Sequence, residues 1–482
     1  MTRLDRCRER TKSGVGLTPW LLIVLALAGC RPAETSQSPP PSQHVDILIT
    51  GGTVVTMDAD LTLYDPGFVA VSGDSISAVG PLSDARAFRA DRTIEAKKQI
   101  ILPGLVNGHQ HAPMVLLRGL ADDLTLMDWL ERYIFPTEAK VVDAEFVYWG
   151  ALLSALEMVR TGTTTFADMY YFEGEVARAV SQVGMRGVLG ETLIGFPSPD
   201  FRTPQEALGY TEEFIQKWKD HALIVPAVAP HAAYTCSEEV LLASSRLAER
   251  YDVPILIHVA ESKDEINQVR QRTGMTSIRF LNKIGFLSDR VVAAHVVWAD
   301  AEEISILKDL GVGVIHNPES NMKLASGVAP IPEMLEAGLD VGLGTDGAAS
   351  NNNLDMFQEM DTMAKLFKIT RLDPTLISAR QALATATMGS ARALGLGDQL
   401  GSLEAGKKAD LIILDQTSPA AIPTYDPYSS VVYSLMGDSV RTSIVGGKII
   451  MEGRRLTHLD TSELFAKVAV LKEKIRNSLQ PH

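Results

Sequence analysis

The segment ILPGLVNGHQHAP, residues 101–113, places His109 and His111 two positions apart at the end of an apolar run. Side chains at i and i+2 of an extended strand point to the same side, so both imidazoles can bind one divalent ion. Other short apolar runs also end in a metal-binding residue type, namely His231, His258, His295, His316 and Asp346. Such residues at the C-terminal ends of several strands indicate a parallel α/β barrel, in which that rim carries the chemistry.

The order of predicted elements supports the same fold class. Between residues 102 and 399, strands alternate with helical patterns, as in βαβ units. Eight strands are predicted, at 102–108, 163–169, 186–193, 224–229, 254–259, 291–295, 312–316 and 341–344. Helices are predicted at 144–160, 237–251 and 301–310, among others. We therefore expect an α/β fold, a TIM (β/α)8 barrel that spans residues 102–399.

The two segments that flank the barrel have a different sequence pattern. Residues 44–101 and 400–456 contain alternating, β-branched runs punctuated by turn residues, which predicts short antiparallel strands. We expect the two segments to form one small discontinuous β-sandwich. Residues 457–482 are predicted to form a C-terminal helical segment, with its helix at 462–478. The net charge is −14 without a block of five like charges, which excludes a nucleic acid or an anionic membrane surface as a partner.

The first thirty residues predict export. Several Arg and Lys residues precede an apolar stretch of about a dozen residues that ends in LAGC, at Cys30. This resembles a bacterial lipoprotein signal, so we expect residues 1–29 to be removed and Cys30 to be lipidated. Residues 30–43, rich in Pro and Ser, predict a flexible linker. The expected location is the periplasmic side of the cell envelope, with the outer membrane favoured by Arg31. An ordinary signal peptide with a chance cysteine is the alternative, and without any signal the protein would be cytoplasmic.

The residue types at the rim predict a catalytic metal centre. His109, His111 and His258 supply three imidazoles, and Asp346 supplies a carboxylate. This donor set suits zinc or ferrous iron, and the sequence leaves the choice open. A bound ion would lower the pKa of a water molecule to about 7, producing hydroxide at neutral pH. Asp346 can accept the proton released in that step.

Two further residues are candidates for proton transfer. His295 lies on the same rim and can orient or deprotonate the water, and Glu261, just past the strand that carries His258, can protonate a ring nitrogen. An acidic residue at a helix start is an alternative explanation of Glu261. His316, which precedes Asn317 and Pro318, is either a structural rim histidine or a functional one.

The motifs NGHQHAPMVLLRG, HVAES, AAHVVW, HNPESNMKLASGVAPIPEML and GLGTDGAASNN resemble those of the amidohydrolase superfamily. More narrowly, they are similar to its methylthioadenosine/S-adenosylhomocysteine deaminase branch, which is related to the triazine chlorohydrolases. The resemblance runs from about residue 45 to 455. It implies one divalent metal held by His109, His111, His258 and Asp346, with Glu261 and His295 handling protons. It also implies substrate contacts from Glu138, His231 and Arg186, and a pocket wall that includes Trp129.

The resemblance implies hydrolytic deamination of an aminopurine nucleoside of the S-adenosylhomocysteine or 5′-methylthioadenosine type. Hydroxide generated at the metal would attack the amino-bearing ring carbon and release ammonia. The same chemistry can remove an amino or chloro group from a triazine, guanine or pterin, which is the first alternative. The second is a surface lipoprotein that binds metal or ligand without catalysis. The sequence leaves open whether the chain forms a homo-oligomer.

Overall fold

The computed structural model describes residues 43–479, so the predicted signal, Cys30 and the linker to residue 42 lie outside the described residues. The strands before the barrel are β1 (Gln43–Val55), β2 (Leu63–Ser72), β3 (Ser75–Pro81), β4 (Phe88–Glu95) and β5 (Gln99–Pro103). The barrel strands are β6 (Leu105–Gln110), β7 (Thr163–Tyr170), β8 (Arg186–Leu193), β9 (Ile224–Pro230), β10 (Ile255–Val259), β11 (Val291–His295), β12 (Gly313–His316) and β13 (Val341–Leu343). The strands after it are β14 (Leu411–Asp415), β15 (Val440–Val445), β16 (Lys448–Glu452) and β17 (Arg455–Leu456).

The helices connect the barrel strands and follow them. They are α1 (Leu126–Trp129), α2 (Phe135–Val141), α3 (Ala144–Arg160), α4 (Glu173–Val183), α5 (Pro204–Trp218), α6 (Glu238–Tyr251), α7 (Lys263–Thr273), α8 (Ser277–Lys283), α9 (Ala301–Asp309), α10 (Pro318–Lys323), α11 (Ile331–Glu336), α12 (Met356–Arg371), α13 (Ala379–Ala384), α14 (Ser390–Ala393), α15 (Pro427–Tyr433) and α16 (Thr461–Ser478). Short 3-10 turns lie at Leu82–Ala87, Ala112–Leu117, Pro419–Ala421 and Gly437–Ser439, and π turns at Leu130–Ile134 and Thr385–Gly389. Among residues 43–479, no helix has the length and apolar character that crossing a bilayer requires.

The barrel consists of eight parallel strands paired in chain order from β6 to β13, which confirms the predicted fold class. Every residue of these strands is buried apart from Val225, because helices cover the outside and side chains fill the inside. The ring closes between β6 and β13 through hydrogen bonds just past the strand ends. The N–H of Asp346 donates to the carbonyl of His109 at 3.0 Å, and that of Thr345 donates to Asn107 Oδ1 at 3.0 Å.

The flanking segments form one nine-stranded sheet in the order β17-β16-β15-β14-β5-β1-β2-β3, with β4 also paired to β1. The expected purely antiparallel pairing is wrong for β1, which pairs in parallel with β4 and β5. The strand Gln99–Pro103 lies between β1 and β14, so Leu102 belongs to this sheet and not to the first barrel strand. The apolar run IILPGLV therefore contributes residues to two sheets, and the chain passes from the terminal sheet to the barrel at Pro103 and Gly104.

Side chains along the barrel strands point alternately into the barrel and toward the surrounding helices, and this gives two separate hydrophobic cores. Inward-facing residues such as Val106, Val188 and Ile315 form a cluster that Leu396 and Leu400 complete. Outward-facing residues pack against the surrounding helices. The interior is thus filled with apolar side chains, and polar ones collect at the C-terminal ends of the strands.

Candidate active site

The four predicted metal ligands converge at the C-terminal rim of the barrel. His109 lies on β6, His111 directly follows it, His258 lies on β10 and Asp346 follows β13. The Oδ1 atom of Asp346 lies 3.6 Å from Nε2 of His109 and 3.4 Å from Nε2 of His111. The Nε2 atoms of His111 and His258 are 3.2 Å apart. Ligand atoms of His109, His111 and Asp346 lie within 4.8 Å of one another, and so do those of His109, His258 and His295, so the candidate ligands form one cluster around His109.

Hydrogen bonds at the Nδ1 atoms determine which nitrogen of each ring faces the candidate metal centre. His111 Nδ1 is 2.6 Å from the carbonyl oxygen of Met169, and His258 Nδ1 is 2.8 Å from that of His231. A carbonyl only accepts, so each Nδ1 carries the proton and each Nε2 presents a lone pair. His109 Nε2 is buried and has no hydrogen-bond partner within the described part of the chain. Facing lone pairs and an orphaned buried nitrogen are what a bound cation would satisfy.

The protonation states agree with metal binding. Burial lowers the pKa of His109 to about 4, an effect that Asp346 opposes and His111 reinforces. Burial also lowers the pKa of His111 and of His258. The imidazoles are therefore neutral at physiological pH, which is the form that ligates a metal. The residues present fit a zinc or ferrous ion.

Asp346 is held as a carboxylate by its neighbours. Ser320 Oγ and Ser350 Oγ donate to its Oδ2 at 2.6 and 3.0 Å, and the N–H of Gly347 donates to Oδ1 at 2.7 Å. Burial would raise the pKa of Asp346, but the adjacent His109 and the other site histidines hold it well below its usual value. Its backbone is in the left-handed region, with φ at 62°. Because an Asp tolerates that conformation better than most side chains do, the turn can aim the carboxylate at the centre.

Glu261 and His295 face each other beside this centre. His295 Nε2 is 3.9 Å from Glu261 Oε2, and His295 Nδ1 is 2.9 Å from Asn321 Oδ1. A ring nitrogen of His295 also lies within 4.8 Å of ligand atoms of His109 and His258, so His295 is within reach of the same ion. Burial, with Asp346 and Glu265 close by, raises the pKa of Glu261 well above its usual value.

Glu261 lies outside the helix that follows it. Ser262 is the N-cap residue of α7, and its side chain accepts from Glu265 N–H. Both carboxylate oxygens of Glu265 accept hydrogen bonds from the backbone of the preceding turn, from the N–H of Ala260 at 2.9 Å and from the N–H of Glu261 at 2.8 Å. Glu265 therefore shapes the turn at Glu261, which lies one residue before the N-cap of α7 and lines the pocket.

A pocket opens above the candidate metal ligands at the C-terminal rim of the barrel. Glu138, on α2, lines it and accepts a hydrogen bond from Tyr170 Oη at 2.6 Å. Burial raises the pKa of Glu138 to about 7, although the Tyr170 hydrogen bond lowers it. Trp129 and His231 also line the cavity. Burial beside the other histidines lowers the pKa of His231 to about 3, so this ring is neutral.

Arg186 does not belong to this site. It is the first residue of β8 and therefore lies at the opposite end of the barrel from the strand ends that carry the ligands. Its Nε donates to Asp410 Oδ2 at 2.9 Å and its Nη1 to the carbonyl of Ala222 at 2.9 Å. Both charged groups are buried. The assignment of Arg186 to substrate binding is corrected to a structural ion pair at the base of the barrel.

His316 also stands apart from the cavity. It ends β12 and is fully buried, with its ring centroid 5.6 Å from that of Phe367. Neither ring nitrogen has a hydrogen-bond partner among residues 43–479. His316 therefore lies in the packed core, and its ring nitrogens make no hydrogen bond within the part of the chain that the structure describes.

The sequence reasoning missed the residues that hold the ligands in place. Ser320 and Asn321 orient Asp346 and His295, Tyr170 holds Glu138, and Glu265 shapes the Glu261 turn. Ser320 and Asn321 stand in the motif HNPESN, so a signal for them was present. No local pattern marks Tyr170, because its contact joins β7 to α2 across more than thirty residues.

The comparisons with known proteins agree with this geometry. The sequence profile of the amidohydrolase family matches residues 100–450. The chain is 48% identical to 5-methylthioadenosine/S-adenosylhomocysteine deaminase 1 of Syntrophus aciditrophicus, over 91% of this chain and 99% of the relative. It is 43% identical to 5′-deoxyadenosine deaminase of Methanosarcina mazei, over 89% of this chain and 98% of the relative.

Solved structures show the same similarity. A zinc-bound adenosine deaminase from Xanthomonas campestris superposes with a TM-score of 0.89 at 38% identity, covering 91% of this chain and 100% of that one. The zinc complex of the atrazine chlorohydrolase TrzN from Arthrobacter aurescens superposes with a TM-score of 0.83 at 28% identity, covering 88% of this chain and 100% of that one.

Proposed function

This chain belongs to the amidohydrolase family, and on that premise we propose that it is a metal-dependent hydrolytic deaminase of an aminopurine nucleoside of the 5′-methylthioadenosine and S-adenosylhomocysteine type. The observation that carries the proposal is that one cavity joins three features. These are the metal ligands at its floor, the buried Glu261 and His295 beside them, and the buried Glu138 on its wall. A site that only bound metal would have no use for the last two features.

His109, His111, His258 and Asp346 are the residues that would hold the ion. Zinc is the ion we assign, because imidazole and carboxylate donors suit it and the solved relatives at 38% and 28% identity are zinc complexes. When bound, the ion supplies a Lewis acid that makes water nucleophilic at neutral pH.

Glu261 and His295 take part in proton transfer and water positioning at the reacting ring. Burial raises the pKa of Glu261 well above its usual value, which favours the protonated form, so Glu261 can donate to a ring nitrogen of the purine and make the amino-bearing carbon more electrophilic. His295, whose other nitrogen is fixed by Asn321, can orient the attacking water. Asp346 is ionised and can accept the proton that this water loses. The proton on Asp346 can then pass to the amino group, which leaves as ammonia when the C–N bond breaks. The added hydroxyl becomes the product carbonyl and its proton returns to Glu261.

Glu138 distinguishes nucleosides from other heterocycles. A carboxylate accepts hydrogen bonds from hydroxyl groups, and ribose offers two adjacent ones. Triazines, guanine and pterins lack them, so the first alternative substrate class gives no reason for a buried glutamate held by Tyr170. His231 and Trp129 complete the walls around the bound base and sugar.

The test is ammonia release from a panel of amino-heterocycles by the purified, zinc-loaded enzyme. We expect adenine nucleosides to exceed free adenine, guanine, melamine and pterin in kcat/KM. Faster turnover of a triazine or a pterin than of any nucleoside would favour the first alternative. Metal binding with no turnover on the whole panel would favour the non-catalytic lipoprotein.

We further propose that the protein is lipid-anchored on the periplasmic side of the cell envelope. Support comes from the basic start of the chain, the apolar run ending in Leu27-Ala28-Gly29-Cys30, and the Pro/Ser-rich tract to Gln43. A lipoprotein cysteine carries more than one acyl chain, which stable anchoring requires.

Fractionation of cells that express the wild type or Cys30→Ser tests the anchor. We expect the wild type to lack residues 1–29 and to partition into detergent, whereas the variant remains unprocessed or mislocalised. Recovery of the wild type as a soluble cytoplasmic protein with an intact N-terminus would rule the anchor out.

A further inference from the structure

Beyond the reaction itself, we infer that Asp122, Lys323 and Asn352 form a latch that positions one wall of the pocket relative to the metal centre. We refer to residues 119–134, in the loop between β6 and α3, as the wall segment. It supplies four buried residues that line the pocket, namely Leu126, Trp129, Leu130 and Ile134. The effect of the latch on the substrate rests on the proposed function, whereas the existence of the latch does not.

The wall segment has few polar contacts with the rest of the barrel. In the part of the chain that the structure describes, none of its backbone groups hydrogen-bonds to an element outside its own loop. The loop is fixed before the segment by the ion pair of Arg118 with Glu157 on α3, and after it by the hydrogen bond that joins Glu138 to β7. Gln268 Nε2 lies 3.7 Å from Met127 Sδ, which is a weak acceptor. Apart from apolar packing, side-chain contacts therefore fix the position of the segment between these two points.

The latch joins the wall segment to two other loops of the same rim. Lys323, the last residue of α10, forms an ion pair with Asp122 and donates to Asn352 Oδ1 at 2.5 Å. Asn352, in the loop between β13 and α12, donates through Nδ2 to Asp122 Oδ1 at 3.3 Å. The three side chains thus contact one another in pairs, and Asp122 is the member that belongs to the wall segment.

The other two members belong to a unit that supports the metal centre. On α10, Ser320 donates to Asp346 Oδ2 at 2.6 Å. Asn353, which follows Asn352, donates through Nδ2 to Glu319 Oε2 at 2.7 Å. These contacts join α10 to the loop between β13 and α12 independently of the latch. Loss of the latch therefore releases the wall segment and leaves this unit in place.

The strength of the latch suits a reversible contact. The side chains of Asp122 and Lys323 are 38% and 23% exposed, so solvent screens their attraction. Ion pairs of this kind shift an equilibrium by about two- to fivefold. Without the latch, the wall is in place for less of the time, so substrate binding weakens while the chemical step at the metal is retained. We expect KM to rise by about two- to fivefold and kcat to change by less than about twofold.

Asp122→Asn, Lys323→Met and the double variant test the latch in the zinc-loaded enzyme. The matched control is Asp123→Asn, which removes the same charge from the adjacent exposed residue. Position 123 has a left-handed backbone, with φ at 62°, which Asn tolerates as Asp does. Hydrogen–deuterium exchange of residues 119–134 reports opening of the wall segment. Ammonia release from 5′-methylthioadenosine gives KM and kcat, and the zinc content of each variant is measured.

We expect exchange of the wall segment to be about two- to fivefold faster in both single variants and unchanged in Asp123→Asn. The double variant should resemble the single ones, because either substitution alone already removes the ion pair. KM should rise in the same variants as the exchange rate does, and zinc content should be unchanged in all of them.

Unchanged exchange in both single variants would overturn the inference, as would equal acceleration in Asp123→Asn or additive effects in the double variant. Loss of zinc or of kcat with KM unchanged would also overturn it, because Lys323 would then support α10 and the metal centre instead of the wall. Release of no ammonia by the unmodified zinc-loaded enzyme would count against the proposed function, whereas the exchange measurement would still decide whether the latch exists.

Discussion

Replacing Tyr170 by Phe isolates one hydrogen bond of the substrate pocket. The hydroxyl of Tyr170 donates to Glu138 Oε1 at 2.6 Å, and both side chains are buried. The substitution removes this donor and leaves the ring that packs in the wall. If Glu138 binds the ribose hydroxyls, its ionised form is the better acceptor, so its pKa sets the pH at which nucleosides bind well.

The size of the effect follows from the hydrogen bond. A hydrogen bond to a charged acceptor contributes about 1.5–3 kcal/mol, and about 1.4 kcal/mol corresponds to one pKa unit. Burial already raises the pKa of Glu138 to about 7. Without Tyr170 it should rise by roughly one to two further units. Because a raised pKa disfavours the carboxylate, the ionised fraction at pH 7.5 should fall roughly 3- to 25-fold.

The assay is ammonia release from 5′-methylthioadenosine between pH 6 and 9.5. In the wild type, kcat/KM should rise with pH through about 7, the pKa of Glu138, and in Tyr170→Phe the same rise should occur at a higher pH. At pH 7.5 the variant should be slower by the factor given above, and the difference should shrink toward pH 9.5. Tyr171→Phe is the matched control, because Tyr171 lines the same cavity but makes no hydrogen bond to Glu138.

An unchanged pH profile in Tyr170→Phe would refute the reasoning. So would the same displacement for free adenine, which has no ribose, or in Tyr171→Phe. Any of these three results would mean that the pH dependence does not report a Tyr170–Glu138 hydrogen bond acting on ribose recognition.

The other predictions concern the remaining roles. Glu261→Gln should retain its zinc by metal analysis and lose about 10²–10⁴-fold in kcat, because the proton donor is removed and the ligands are kept; near-normal turnover would show that another group protonates the ring. His258→Ala should lose most of its bound zinc, and full zinc content would remove it from the ligand set. Glu138→Gln should reduce kcat/KM for nucleosides much more than for adenine, whereas equal losses would favour the triazine or pterin alternative. Arg186→Met should lower stability to denaturant by about 3–5 kcal/mol, because Asp410 is left buried and unpaired, without changing KM; a raised KM in a fully stable variant would return Arg186 to the substrate site.

The clustering of the candidate metal ligands at one rim could be predicted from sequence because their positions depend on a local pattern. Each of His109, His258 and Asp346 ends an apolar run, and a parallel barrel gathers all such ends at one rim. The predicted strand at 186–193 has the observed bounds, but the function attributed to Arg186 depends on which end of that strand it occupies. A residue that begins a strand lies at the bottom of the barrel, and this rule would have excluded it.

The supporting contacts could not be predicted, because they join elements that are far apart in the chain. Tyr170 meets Glu138 between β7 and α2, and Ser320 meets Asp346 between α10 and the turn after β13. The boundary between the two sheets was misplaced for a related reason. The run of residues 100–106 is continuously apolar, and only the pairing of β5 with β14 shows where the terminal sheet ends.

Zinc titration of the metal-free enzyme against ammonia release tests the central claim most directly. The chelated protein is supplied with increasing zinc, and the rate with 5′-methylthioadenosine is measured at each addition. One centre built from His109, His111, His258 and Asp346 predicts no release without metal and a linear rise that ends at about one ion per chain. Undiminished release from the metal-free protein would contradict the account, as would a rise that continues to two ions.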